Sequence, residues 1–86
     1  MEYYLILARS VTYAQRIQRA LERAGIRCRI FRAPRDVADL GCAYAVRILR
    51  EDLSASLIVI HREGLGPVRV FLESKAGWQE VRHDLF

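Results

Sequence analysis

Two cysteines, Cys28 and Cys42, are the residues of this 86-residue chain whose types most readily do chemistry. A thiol becomes a nucleophile as a thiolate, so what matters is nearby positive charge, oriented N–H groups and exposure. Cys42 closes the stretch Ala33 to Tyr44, which opens with Pro34-Arg35 and ends with Gly41-Cys42. Arg35 in the same stretch and Arg47 just beyond it are candidates to favour the thiolate. Gly41 lets the backbone turn tightly beside the sulfur, and Pro34 stiffens the approach. Asp36 and Asp39 act the other way, because carboxylates raise a thiol pKa. The alternative for Cys42 is a packed residue at the start of a strand. Cys28 lies in the alternating run Ile26 to Arg32, on the face of Ile26 and Ile30, and reads as a small hydrophobe.

The cysteines are too far apart for a Cys-x-x-Cys site, and His61 and His83 add no zinc spacing, so no metal and no cofactor is expected. Neither histidine lies near Cys42 in sequence, and no Cys/His/Asn pattern of protease-type catalysis is present. Gly64 to Pro67 is a turn and not a phosphate loop.

The elements that must position the stretch follow from periodicity. Tyr3 to Ala8 is a short apolar run and reads as a buried strand. Ser10 or Thr12 then caps a helix in which Ala14, Ile17, Leu21 and Ala24 share a face and Gly25 is the stop. Ile26 to Arg32 reads as a second strand and Ala43 to Leu49 as a third. After Asp52, Leu53, Leu57 and Ile60 form a helical stripe ending at Gly64. The run Leu57-Ile58-Val59-Ile60 taken alone would suit a strand, and the flanking cap and glycine favour the helix. Pro67 to Glu73 alternates as a last strand. Trp78, Val81 and Leu85 share a helical face.

The order is β-α-β-β-α-β plus a tail. It predicts an α+β fold, a ferredoxin-like βαββαβ sandwich with a four-stranded antiparallel sheet and two helices on one face. Residues 1–74 form this domain, and 75–86 a C-terminal tail with a short docking helix. No run of ~18 apolar residues is present, so no membrane span is expected. The N-terminus has no signal-peptide pattern, and two cysteines in such a chain read as free thiols of a cytoplasmic protein. The net charge is +4, and all but one of the fourteen basic residues are arginine, scattered over every element.

With these residues in view, the chain resembles the small selenium/sulfur carrier protein-like family. The likeness runs through Tyr4-Leu5-Ile6-Leu7, Ser10, Thr12, Ala14, Leu21 and Gly25 to Pro34-Arg35 and Cys42, over roughly residues 3 to 73. The family usually has glycine directly after the cysteine; here Ala43 follows and Gly41 precedes. The resemblance implies that Cys42 carries sulfur or selenium as a persulfide or selenosulfide, with Arg35 holding the anion and Gly41 shaping the loop. A cysteine desulfurase or similar donor would load it and an acceptor enzyme would unload it. On this reading the protein is a carrier rather than an independent catalyst.

Two other readings stand beside it. One is an RNA-binding module using Tyr3 or Tyr4, Phe31, Tyr44 and Phe71 with Arg29, Arg47 and Arg69 on an open sheet face. The signature aromatic motif of such sheets is absent, so nucleic acid is not the expected partner. The other is a regulatory domain, a homodimer paired through its sheet faces that binds a small ligand at the interface. Either the tail or a second copy must cover an apolar face of that kind.

Overall fold

Among the described residues the periodicities of the chain resolve into five strands and two helices. A computed structural model describes residues 2–34 and 44–81. In chain order these are β1 (Tyr3–Ala8), α1 (Val11–Arg23), β2 (Cys28–Arg32), β3 (Tyr44–Leu49), a 3₁₀ turn (Arg50–Asp52), α2 (Leu53–Arg62), β4 (Arg69–Ser74) and β5 (Gly77–Val81). The strands form one antiparallel sheet in the order β2-β3-β1-β4-β5.

The helix boundaries have local causes. Ser10 is the N-cap of α1, its hydroxyl accepting from the Tyr13 N–H at 3.2 Å. Thr12 lies inside the helix. Gly25 takes φ +80°, which lets Gly25 N–H donate to Glu22 and Ile26 N–H donate to Leu21 and so satisfies the last carbonyls. Gly64 does the same for α2, with Leu65 N–H on Ile60. Asp52 precedes α2, but its side chain makes no capping hydrogen bond, and a 3₁₀ turn starts the helix instead.

Both helices cover one face of the sheet. Ile17 and Leu21 of α1 and Ile60 of α2 pack on Ile6, Val46, Ile48 and Val70, with Ala14 between. The segment with two competing patterns is helical: Ile60 is buried while Ile58 is 59% exposed. A strand would have put those two residues on the same face.

Two expectations are corrected. The sheet has five strands rather than four, and the tail does not fold as a short docking helix over residues 77–81. That segment is β5, joined to β4 by a tight turn in which Gly77 takes φ +111°. Trp78 therefore pairs with Glu73, and Val81 with Val70 on the opposite face. The sheet thus continues past residue 74.

β5 closes the face that no helix covers. Trp78 meets Phe31 edge-on at 5.8 Å and Phe71 at 6.4 Å between ring centroids. Phe31 and Trp78 lie on opposite edge strands, which in a flat sheet would stand ~19 Å apart. The sheet therefore coils toward this face, and Leu5, Ala45 and Phe71 are buried beneath the two rings.

Candidate functional site

Arg35, Gly41 and Cys42, the three residues singled out for chemistry, lie outside the described residues. The framework on either side of them is defined. Arg32 and Tyr44, the last residue of β2 and the first of β3, stand directly opposite each other in the ladder. The Arg32 guanidinium sits 5.8 Å from the Tyr44 ring centroid and donates to its hydroxyl at 3.5 Å. Ala33 continues from β2 into the core beside Leu5 and Ala45. Both ends of the stretch are thus anchored, and Cys42 follows in sequence two residues before an anchored tyrosine.

This end of the sheet also gathers the start of α1. Tyr44 pairs on its other side with Ala8, the end of β1, which leads through Arg9 to the Ser10 cap. Arg9 lies 4.1 Å from the Tyr13 ring centroid and donates to that hydroxyl. The first turn of α1 contains no acidic side chain. Positive charge from Arg9, Arg32 and the α1 N-terminus is therefore collected at the sheet end where the Cys42 stretch attaches.

Arg47 is not part of that group. It lies three residues along β3 from Tyr44, ~10 Å, and belongs to the coiled face. Its Nη2 is 3.0 Å from both Glu73 carboxylate oxygens and donates to Oε2. The guanidinium also sits 5.1 Å and 4.9 Å from the Tyr3 and Phe31 ring centroids. Trp78 Nε1 donates to the same carboxylate at 3.2 Å. Arg47, Glu73 and Trp78 thus tie β3, β4 and β5 together. Of the aromatics considered for nucleic-acid stacking, Tyr3, Phe31 and Phe71 are engaged on this face: Phe71 is buried, Phe31 is held between Arg47 and Trp78, and Tyr3 lies beside Arg47, while Tyr4 and Tyr44 pack toward the helix-covered side.

Cys28 stands at the other end of β2, paired with Ile48. Its thiol packs against the helix-covered core and donates to the Gln18 carbonyl at 3.8 Å. Burial, with a smaller contribution from the Glu22 charge, pushes its pKa from 9.0 up to about 11. At neutral pH this thiol is protonated and held inward.

His61 is exposed on α2, and His83 lies outside the described residues. Among the described residues no group of three or more His, Cys, Asp or Glu side chains is placed to hold a metal, and no helix is long and apolar enough to cross a membrane. The pairing of Arg32 with Tyr44 escaped the sequence reading because a cross-strand register is not encoded locally. The alternation of Ile26 to Arg32 could have located Arg32 at the strand end, but not its partner.

The comparisons with known proteins bear on the same segment. No curated protein and no solved structure matches the chain. Residues 3–71, from β1 into β4 and across the whole Pro-Arg to Cys stretch, match the family described as "Putative Se/S carrier protein-like". That match covers most of the fold described above, and the chain belongs to this family.

Proposed function

We propose that this protein is a sulfur or selenium carrier that holds its cargo on Cys42 and passes it between partner proteins. The observation that carries the reading is the state of the other thiol. Cys28 is half-buried, protonated at neutral pH, donates to the Gln18 carbonyl and stands at the end of β2 away from Arg32 and Tyr44, which favours Cys42 as the thiol for the family's chemistry.

Loading is a thiol exchange on a chalcogen. The Cys42 thiolate attacks the outer sulfur of a donor persulfide such as that of a cysteine desulfurase. A Cys42 S–S bond forms, the donor S–S bond breaks, and the donor cysteine leaves as a thiolate. No electrons are gained or lost overall. Unloading repeats the step with an acceptor thiolate. With selenium, the attacked atom is the outer selenium of a selenosulfide. A persulfide is more acidic than a thiol, so Cys42 would carry an anion. Arg35 in the stretch and the positive charge at the α1 end of the sheet support that form. The βαββαβ part, read as ferredoxin-like with β5 added at the β4 edge, serves as the rigid base for the stretch.

The test is intact-mass analysis after incubation with a cysteine desulfurase and cysteine, without reductant. Wild type and Cys28→Ser should gain about 32 Da for sulfur (about 80 Da for selenium from a selenium donor). Cys42→Ser should gain nothing while retaining its circular dichroism and Trp78 fluorescence. An adduct on the Cys42→Ser protein at wild-type level overturns the proposal.

A further inference from the structure

β2 forms one edge of the sheet: among the described residues it pairs with β3 on one side only. Where β2 begins, a cavity of about 610 Å³ opens against it, its wall including Tyr3, Glu22, Arg27, Cys28, Arg29 and Arg47. The charges there do not balance. Arg47 is taken by Glu73. Arg27 and Arg29 are exposed and have neither an ion pair nor a hydrogen bond among the described residues. Among the described residues Glu22 is the only acid in the wall.

Arg29 also stands directly opposite Arg47 in the ladder. Like charges at directly opposed positions destabilise a sheet. The Glu73 carboxylate and the Tyr3 and Phe31 rings accommodate Arg47, while Arg29 has no such relief. An edge strand with outward N–H and C=O groups, two uncompensated guanidiniums and an open depression beside them fits an extended acidic chain.

We propose that the β2 edge docks an acidic, extended segment of a partner protein, added as a further strand with its carboxylates on Arg27 and Arg29. This rests on the carrier reading only for the identity of the partner, which would be the donor or acceptor. β2 runs from the cavity to Arg32, two residues before Pro34, so a strand laid along it leads from this anchor toward the stretch that bears Cys42. The four steps from Cys28 to Arg32, the five residues of β2, span ~13 Å.

The test is fluorescence anisotropy of a labelled eight-residue peptide of alternating glutamate and valine, titrated with the unloaded full chain. Wild type should bind it, more weakly as salt rises. Arg27→Glu/Arg29→Glu should weaken binding about 10-fold or more. Arg16→Glu/Arg19→Glu makes the same change in net charge on exposed α1 positions and should shift it less than about 2-fold. Thermal unfolding checks that both double variants are folded. Absence of wild-type binding, or equal loss in both double variants, overturns the proposal. Uptake of persulfide sulfur from a low-molecular-weight persulfide, measured on Arg27→Glu/Arg29→Glu, reads the carrier chemistry separately. If that uptake persists while peptide binding is lost, docking and transfer are separable, as proposed.

Discussion

The Cys42→Ser variant retains Cys28 as its one thiol, and the structure sets how slowly that thiol should react. Packing against the helix-covered core, with the Glu22 carboxylate adding to it, pushes the Cys28 pKa from 9.0 to about 11. At pH 7.5 a thiol of ordinary pKa is ~3% ionised, and one near 11 only ~0.03%, a ratio of ~100. Since the thiolate is the nucleophile, iodoacetamide should alkylate Cys28 of the folded variant about 100-fold more slowly than a small model thiol at that pH. The rate should climb about tenfold per pH unit until it levels near pH 11. In urea the same residue should react at the model-thiol rate. Labelling followed by peptide mass analysis across pH measures all three. A break in the folded rate profile near pH 9 would refute the argument from burial.

The same shift carries a stability consequence of definite sign. The folded-state pKa is raised, so between about pH 9 and 11 the unfolded chain loses its proton while the folded chain keeps it. The contribution is fully present below the unfolded pKa and is lost as pH rises through the folded value. The Cys42→Ser protein should therefore lose stability over that window relative to a variant in which Cys28 is also serine. Parallel denaturation curves for the two proteins across the window would contradict the assignment.

Three further outcomes follow from the packing. Truncation after Ser74 removes β5 and Trp78, uncovering Leu5 and Phe71, whose burial is worth about 1.5–3 kcal/mol each; urea unfolding should show a large loss of stability or of cooperativity, and an unchanged midpoint would show that β5 is dispensable. Ser10→Ala removes the cap on Tyr13 N–H and should cost about 1 kcal/mol in chemical denaturation. Ser56 is fully buried and its hydroxyl has no hydrogen-bond partner among the described residues, so Ser56→Ala should be neutral or stabilising by up to about 1 kcal/mol, and a clear destabilisation would reveal a partner for the hydroxyl.

The readable parts of the fold were those written in local pattern. Ala14, Ile17 and Leu21 recur at helical spacing and are the residues that α1 buries, and Gly25 stops the helix in a left-handed conformation. α2 was harder, because Leu57 to Ile60 carries β-branched residues suited to a strand. The helix prevails because it buries Leu53, Leu57 and Ile60 together and leaves Ile58 outside. The tail misled for the opposite reason. Trp78 and Val81 are spaced like a helical pair, yet as strand residues they face opposite ways, Trp78 over Phe31 and Val81 toward the helices. What decides between the two is the hairpin to β4 and a ring contact with β2, and neither is local. Gly77, two residues after Lys75, was the available sign of a turn. In the site, Arg47 looked like a partner for Cys42 by nearness in sequence. Its register opposite Leu5 and Arg29, with Glu73 across the coiled face, commits it elsewhere.

A carrier has a stricter requirement than a reactive cysteine, and the arrangement of the two thiols bears on it. A persulfide is lost when a second thiolate attacks its inner sulfur, since a disulfide then forms and the outer sulfur leaves as sulfide. A protein that holds such cargo must keep any second thiol of its own from acting as that thiolate. Cys28 fits the condition chemically, because partial burial suppresses its ionisation, and its thiol, at the end of β2 away from Arg32 and Tyr44, donates to the Gln18 carbonyl. Replacing Cys28 with serine should therefore leave the lifetime of a Cys42 adduct unchanged. Placing a cysteine instead at Tyr44, beside the stretch, should shorten that lifetime and release sulfide, which methylene-blue assay detects. If the Tyr44→Cys protein held its adduct as long as wild type, isolation of the second thiol would not be what preserves the cargo.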